Sequence, residues 1–413
     1  MLRRIIPFLF AALLVSGLAP AANLSSAAAP AAAATVIGSG TAASCLTEAA
    51  RNALSDAVAA GGTITFDCGP DPVIMPVNTN VTNQTVVVDG GNRVTLSGEN
   101  LRQIFFVYGN GDLTLRNIAL IDGAGFDGAA LSVSDSTAKA TIQNSFLTSN
   151  DAGSQFGGAI FNQGTLTIEH STVGSNTTTQ YGGGIFSNGV ALTIVDSTLI
   201  SNQAGDGGAI FHVGGSLLIE RSAIRSNIAT NYGGGLHIDV GTAAVANTTF
   251  YDNRAAGGGG IYMNGDQLTI TNATFNRNRA DIGGALWNVS NQTTVQNTIL
   301  AHSRTTNDTA DSLNCDGPSL TSLGRNIVSD NTCVPNPSTV GDLLSTDPKL
   351  QPFHADNGGP TRNFMLLRDS PAIDYGLDCP DTDQRGYSRP IGPACDVGAV
   401  EYGWLVFLPA IRR

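Results

Sequence analysis

Two columns of side chains in this sequence have the types and spacing to do chemistry. The first is Phe161, Phe186, Phe211, His237, Tyr262 and Trp287, flat rings that recur every 25 or 26 residues. Aromatic faces stack on the apolar faces of sugar rings, so an exposed strip of them suits an extended glycan, whereas a covered strip would be a buried stack. The second is His170, Asp196 and Arg221, at matching positions of consecutive repeats, with Glu169 and Glu220 beside them. An imidazole, a carboxylate and a guanidinium within reach of one another could supply a base and an acid. Glycan-cleaving sites on comparable scaffolds need clustered carboxylates for calcium with a basic residue, or a set of aspartates. The two lysines, Lys139 and Lys349, lie in no such cluster, and Asn144, Asn247, Asn272 and Asn297 fill the same slot in other repeats. A solvated corner of opposite charges is therefore the competing reading.

The elements that position both columns are legible as a repeat. A Gly-Gly-(Ala/Gly)-(Ile/Leu)-aromatic box begins at Gly157, Gly182, Gly207, Gly233, Gly258 and Gly283. A fixed period near 25 residues marks a stacked array whose units cannot bury their apolar faces alone. Each unit carries an alternating stretch such as Leu166-Thr167-Ile168-Glu169, the period of a half-buried strand, and no segment of the repeats sustains a helical period. The fold class is all-β: a right-handed parallel β-helix of about three short strands per rung, rungs stacking about 4.8 Å apart. Successive rungs make every column a ladder. Asn150, Asn176, Asn202, Asn227, Asn253 and Asn278 form one that ends at Ser303; an amide donates one way and accepts the other, and Asn tolerates the left-handed backbone of a tight corner. The paired glycines answer a need for positive φ and close backbone approach.

The flanks set the context. Residues 1–21 combine Arg3 and Arg4, an apolar run and Ala19-Pro20-Ala21, which read as a secretory signal peptide; residues 22–41 read as a disordered Ala/Ser/Pro spacer. Losing the two arginines takes the formal charge from −12 to −14, and only 13% of residues are charged, which argues against nucleic acid. Six cysteines in an exported chain imply disulfides, and short loops favour Cys45 with Cys68, Cys315 with Cys333, and Cys379 with Cys395. Cys45 to Ala60 reads as a helical cap over the open end of the coil, 42–304 as the capped β-helix, 305–402 as an irregular, disulfide-pinned end, and 403–413 as an apolar then basic tail too short to span a bilayer. No metal or cofactor motif is present: Asp206 and Asp281, three repeats apart, would lie about 14 Å from each other.

At this point the residues reach known families. The boxes at Gly157–Ile160 and Gly207–Ile210, with stretches such as Ser171-Thr172-Val173-Gly174-Ser175-Asn176 between them, resemble the repeats of polymorphic outer membrane proteins. The end section resembles the choice-of-anchor Q domain of exported proteins through Ser322-Leu323-Gly324-Arg325-Asn326-Ile327, Asp356-Asn357-Gly358-Gly359-Pro360-Thr361, Ser370-Pro371-Ala372-Ile373-Asp374, Asp383-Gln384-Arg385-Gly386 and Asp396-Val397-Gly398-Ala399-Val400-Glu401. These resemblances imply a pectate-lyase-like β-helix on an exported or surface protein, and no activity. The 110 residues after Ser303 lack the repeated alternation of a membrane barrel. Asp383, Arg385, Asp396 and Glu401 are read as architectural. The sequence thus points to a secreted or cell-surface protein, structural or adhesive, that meets a glycan or envelope component; a polysaccharide lyase or glycoside hydrolase is the alternative, since fold does not fix function.

Overall fold

The computed structural model describes residues 34–403 except 291, 309 and 336–339. The segments read above as a signal peptide, as a spacer up to residue 33 and as a tail beyond Gly403 lie outside the described residues. The described chain is a right-handed parallel β-helix of about 11 turns, close to 26 residues each.

One rung shows how the sequence makes the coil. Ile160–Asn162, Thr165–Glu169 and Thr172–Gly174 are its three strands. Each pairs in parallel with its equivalent one turn on, for example Ile160 with Ile185, Ile168 with Ile194 and Val173 with Leu199. Alternation sends Ile160, Leu166, Ile168 and Val173 inward, where all are fully buried. Further along, Phe250 and Phe275 stack inside the core with centroids 4.6 Å apart. The first glycine of each box has φ between 57° and 72°, and a Cβ on the second would run into a backbone carbonyl or, at Gly284, Ser303 of the turn above.

The asparagine ladder runs through the interior. Asn150, Asn176, Asn202, Asn227 and Asn253 each donate Nδ2–H to the Oδ1 of the next rung's amide at 2.9–3.0 Å. The same Oδ1 also accepts the preceding asparagine's backbone N–H. One detail differs from the sequence reading. The left-handed residue is the one before each asparagine, Ser149, Ser175, Ser201, Ser226, Asp252 and Arg277, with φ 54–60°. The asparagine turns inward to bond, and its exposed or half-buried neighbour takes the strained backbone.

The first end of the coil is covered. Helices α1 (Ala42–Cys45) and α2 (Glu48–Ala60) sit on the first turns; α2 is capped by Thr47 accepting from Ala50 N–H and buries Ala50, Leu54, Ala57 and Val58. Part of the expected spacer is ordered: Thr35–Gly38 is a strand in register with Ile64–Asp67, because its Ile37 is needed to close the first core layer. Strand pairing also continues beyond residue 304, through Cys315–Asp316, Thr321–Gly324 and Ile327–Val328.

The chain then folds back over the coil. Asn247 Nδ2 donates to Thr382 O, Asn272 Nδ2 to Asp396 O and Asn297 Nδ2 to Leu377 O. Inside the returning section Arg385 pairs with Asp383 at 2.7 Å and Arg389 with Glu401 at 3.1 Å, all four nearly or fully buried. Asp396 is buried beside them, and burial first, then the Glu401 charge, pushes its carboxyl up to about 7. The disulfides are Cys45–Cys68, Cys315–Cys333 and Cys379–Cys395.

Candidate functional site

The aromatic column lies on the outer face of the first strand in each rung. Phe161, Phe186 and Phe211 stack nearly parallel, with centroids 5.5 and 5.7 Å apart. His237 and Tyr262 continue the stack at 4.4 and 4.6 Å, and Trp287 turns its edge to Tyr262 at 5.2 Å. The rings are not equally open. Each phenylalanine is 7% exposed and His237 6%, whereas Tyr262 and Trp287 are half-buried.

A second column, absent from the sequence reading, decides which rings are covered. The residue before each glycine box leans over the ring of the next rung. Phe156 stacks on Phe186 at 4.9 Å, Tyr181 on Phe211 at 4.6 Å and Tyr232 on Tyr262 at 5.0 Å. Asp206 takes this place above His237, with Nδ1 and Oδ1 3.8 Å apart. At the last position stands Gly257, whose missing side chain is the space that Trp287 fills. The sequence signal was available: Phe156, Tyr181 and Tyr232 sit in one phase, directly before Gly157, Gly182 and Gly233.

The open end of the face is therefore Tyr232, Tyr262 and Trp287, each within 5.4 Å of the other two by ring centroid. Two carboxylates border it. Asp206 accepts from Asn231 Nδ2 and Tyr232 N, and Asp239 from Asn264 Nδ2. Burial raises the Asp206 pKa, and the Asp239 charge adds to the rise. Burial depresses His237 to about 4, so its imidazole is neutral at physiological pH. The Tyr262 hydroxyl is held above its ordinary value by burial, with Tyr232, Asp239 and Asp206 adding to it. Stacking rings with adjoining hydrogen-bond acceptors are the two kinds of group a sugar's apolar face and hydroxyls require.

The polar corner has a different construction. Its residues all occupy the left-handed region, His170, Asp196 and Arg221 at φ 47–51°, as do Asn144, Asn247, Asn272 and Asn297. Arg221 grips both Asp196 oxygens at 2.9 Å and Glu220 at 2.6 Å. His170 Nε2 stands 3.7 Å from Asp196, and Glu169 accepts from Gln143. Both oxygens of Asp196 are thus engaged by one guanidinium in a bidentate pair. Where the returning section covers the corner, the slot holds buried Asn247, Asn272 and Asn297; in earlier rungs it holds exposed Asn144 and His170, buried Asp196 and half-buried Arg221.

Residues 247–264 match the Chlamydia polymorphic membrane protein (Chlamydia_PMP) repeat. That match spans the corner Asn247, the ladder Asn253, the box at Gly258 and the open ring of Tyr262, so the polymorphic membrane protein repeat and the solenoid rung are one unit here. No curated protein and no solved structure matches the chain significantly. Among the described residues, no helix is long and apolar enough to cross a bilayer, and no group of three or more His, Cys, Asp or Glu is placed to hold a metal ion.

Proposed function

We propose that this chain is a non-enzymatic surface or extracellular β-helix protein, structural or adhesive, that binds a glycan on the open end of its aromatic face. One observation carries the reading: the stack is covered at Phe186 and Phe211 but opens at Tyr262 and Trp287, next to a solvent-facing Tyr232 and two carboxylates. A purely structural ladder would gain from being covered throughout, since each buried ring removes apolar area from water. The polymorphic membrane protein repeat supports a place at the outer membrane or cell surface. A glycan-cleaving enzyme is the second reading, favoured by the neighbouring Asp206 and Asp239.

The test is a polysaccharide panel in which binding and product release are followed together, with Tyr262→Ala/Trp287→Ala alongside. Binding without products, lost in the double variant, is the expected result. Release of reducing or unsaturated ends that Asp239→Asn abolishes would replace the adhesive reading with the enzymatic one. Binding unaffected by the double variant would place the glycan elsewhere.

A further inference from the structure

On a different face, where the third strands of the rungs meet the returning section, two arginines share a cleft and lack a counterion. Arg225 projects from the third strand of its rung, in register with Ile200 before it and Tyr251 after it. Arg362 follows the Asp356–Thr361 turn of the returning section. The two guanidinium groups line a cleft of about 390 Å³ together with Thr172, Thr198 and Asp356. Among the described residues neither makes an ion pair, and the Arg225 Nε is buried without a hydrogen-bond partner. Burial and then the Arg362 charge push the Arg225 pKa down. Behind the cleft, His354 stacks on Tyr251 at 5.1 Å with its Nε2 also buried and unpartnered.

Arg225 is half-buried, and its unpartnered Nε is costly unless something satisfies it, while the more exposed Arg362 sets a second like charge on the same cleft. The loop that carries Arg362 is nevertheless held in place. Thr361 Oγ1 donates to Arg221 O, Gln384 Nε2 donates to Thr361 Oγ1, and Asn357 Nδ2 donates to Asn363 Oδ1. The fold thus fixes two unneutralised forks toward one space, with the Thr172 and Thr198 hydroxyls one rung apart along it. A guanidinium matches an oxyanion in a bidentate manner, and a group between two of them removes both the repulsion and the orphan donor.

We infer that this cleft binds an oxyanion, a carboxylate or sulfate, gripped between Arg225 and Arg362 and carried on an acidic saccharide or free in solution. The site is separate from Tyr262 and Trp287 and does not rest on the glycan-binding reading of the aromatic face.

The experiment is calorimetric titration of the whole chain with sodium sulfate and with a galacturonate oligosaccharide, at constant ionic strength, with a neutral oligosaccharide as control. Arg225→Gln and Arg362→Gln should each weaken anion binding about tenfold or more, the loss of a charge-assisted contact. Asp356→Asn should tighten it, because a competing carboxylate is removed. Tighter binding of the oligosaccharide than of sulfate, weakened together with sulfate binding in both arginine variants, assigns the anion to a polymer; equal affinity assigns it to a free ion. The absence of binding by either anion, or binding indifferent to both arginine changes, overturns the inference. Should a glutamine variant fail to fold, the wild-type chain still decides. An anion in the cleft offsets the Arg225 and Arg362 charges and must raise the His354 pKa, now about 4 with burial first and the Arg225 charge next, so an imidazole titration unmoved by saturating sulfate also overturns it.

Discussion

Removing one rung of the asparagine ladder should cost as much as emptying a large apolar core site, although the side chain removed is polar. In the fold, Asn202 Oδ1 accepts Asn176 N–H at 3.1 Å and Asn176 Nδ2–H at 2.9 Å, while its own Nδ2 reaches Asn227 Oδ1 and Val173 O, both at 3.0 Å. In Asn202→Ala, Asn227 Oδ1 keeps the backbone N–H of residue 202. The two Asn176 donors lose their acceptor in a fully buried site. Each orphan donor costs about 1–3 kcal/mol, so the total is about 4 kcal/mol. Asn202→Asp tests the assignment from the other side: it keeps both acceptors and loses the donors, and its buried carboxylate faces Asn227 Oδ1, so its penalty should be greater near neutral pH than in acid. Hydrogen exchange reads the effect locally. The Asn176 amide should be among the protected amides of the wild type and should lose protection in Asn202→Ala by the factor that 4 kcal/mol implies, about 10³. Unchanged Asn176 exchange, or a stability loss below about 1 kcal/mol, would show that the ladder is a consequence of the coil and not one of its supports.

The pH dependence of the returning section follows from Asp396. Its carboxyl is raised from 3.8 to about 7, so the folded form favours the protonated acid: this contribution is complete below pH 3.8 and is lost as pH rises through 7. At full loss it amounts to about 4 kcal/mol, so proteolysis of the section should quicken from pH 5 to pH 8, and Asp396→Asn should flatten that trend. Gly257→Leu should dislodge Trp287, since any side chain there occupies the space of the indole; glycan binding should fall while the fluorescence of Trp287, read in a Trp404→Phe background, shifts, and an unmoved spectrum would contradict the described packing. Cys379→Ser/Cys395→Ser opens a loop of separation 16 and should cost about 3 kcal/mol; because Asn272 and Asn297 both contact Cys379, proteolysis should begin in the returning section and not in the coil. Ser201→Val places a β-branched residue at φ 55° and should destabilise by about 1–2 kcal/mol, with Ser201→Gly near neutral, as judged from urea midpoints.

The sequence by itself determined the coil. Stacking makes equivalent positions neighbours, so a period written in Gly157, Gly182 and Gly207, or in Asn150, Asn176 and Asn202, is at once a statement about contacts in space. Ladder composition, strand number per rung and the helical cap all follow from local pattern. What the period cannot encode is the relation between different columns. Whether Phe186 or Trp287 meets solvent depends on what leans over it from the rung before, thirty residues away in sequence, and it is the alternation of Phe156, Tyr181, Asp206, Tyr232 and Gly257 that opens one end of the face. The corner at Asn247, Asn272 and Asn297 takes its meaning from residues 377–398, which return over it from outside the repeat. Arg225 and Arg362, 137 positions apart and belonging to no common motif, face one cleft only because Thr361 and Gln384 fasten the returning section to the coil. Repetition fixes contacts within a column through local pattern, but covering, opening and pairing between columns depend on side-chain bulk and on non-repeating chain, and those the tertiary structure alone decides.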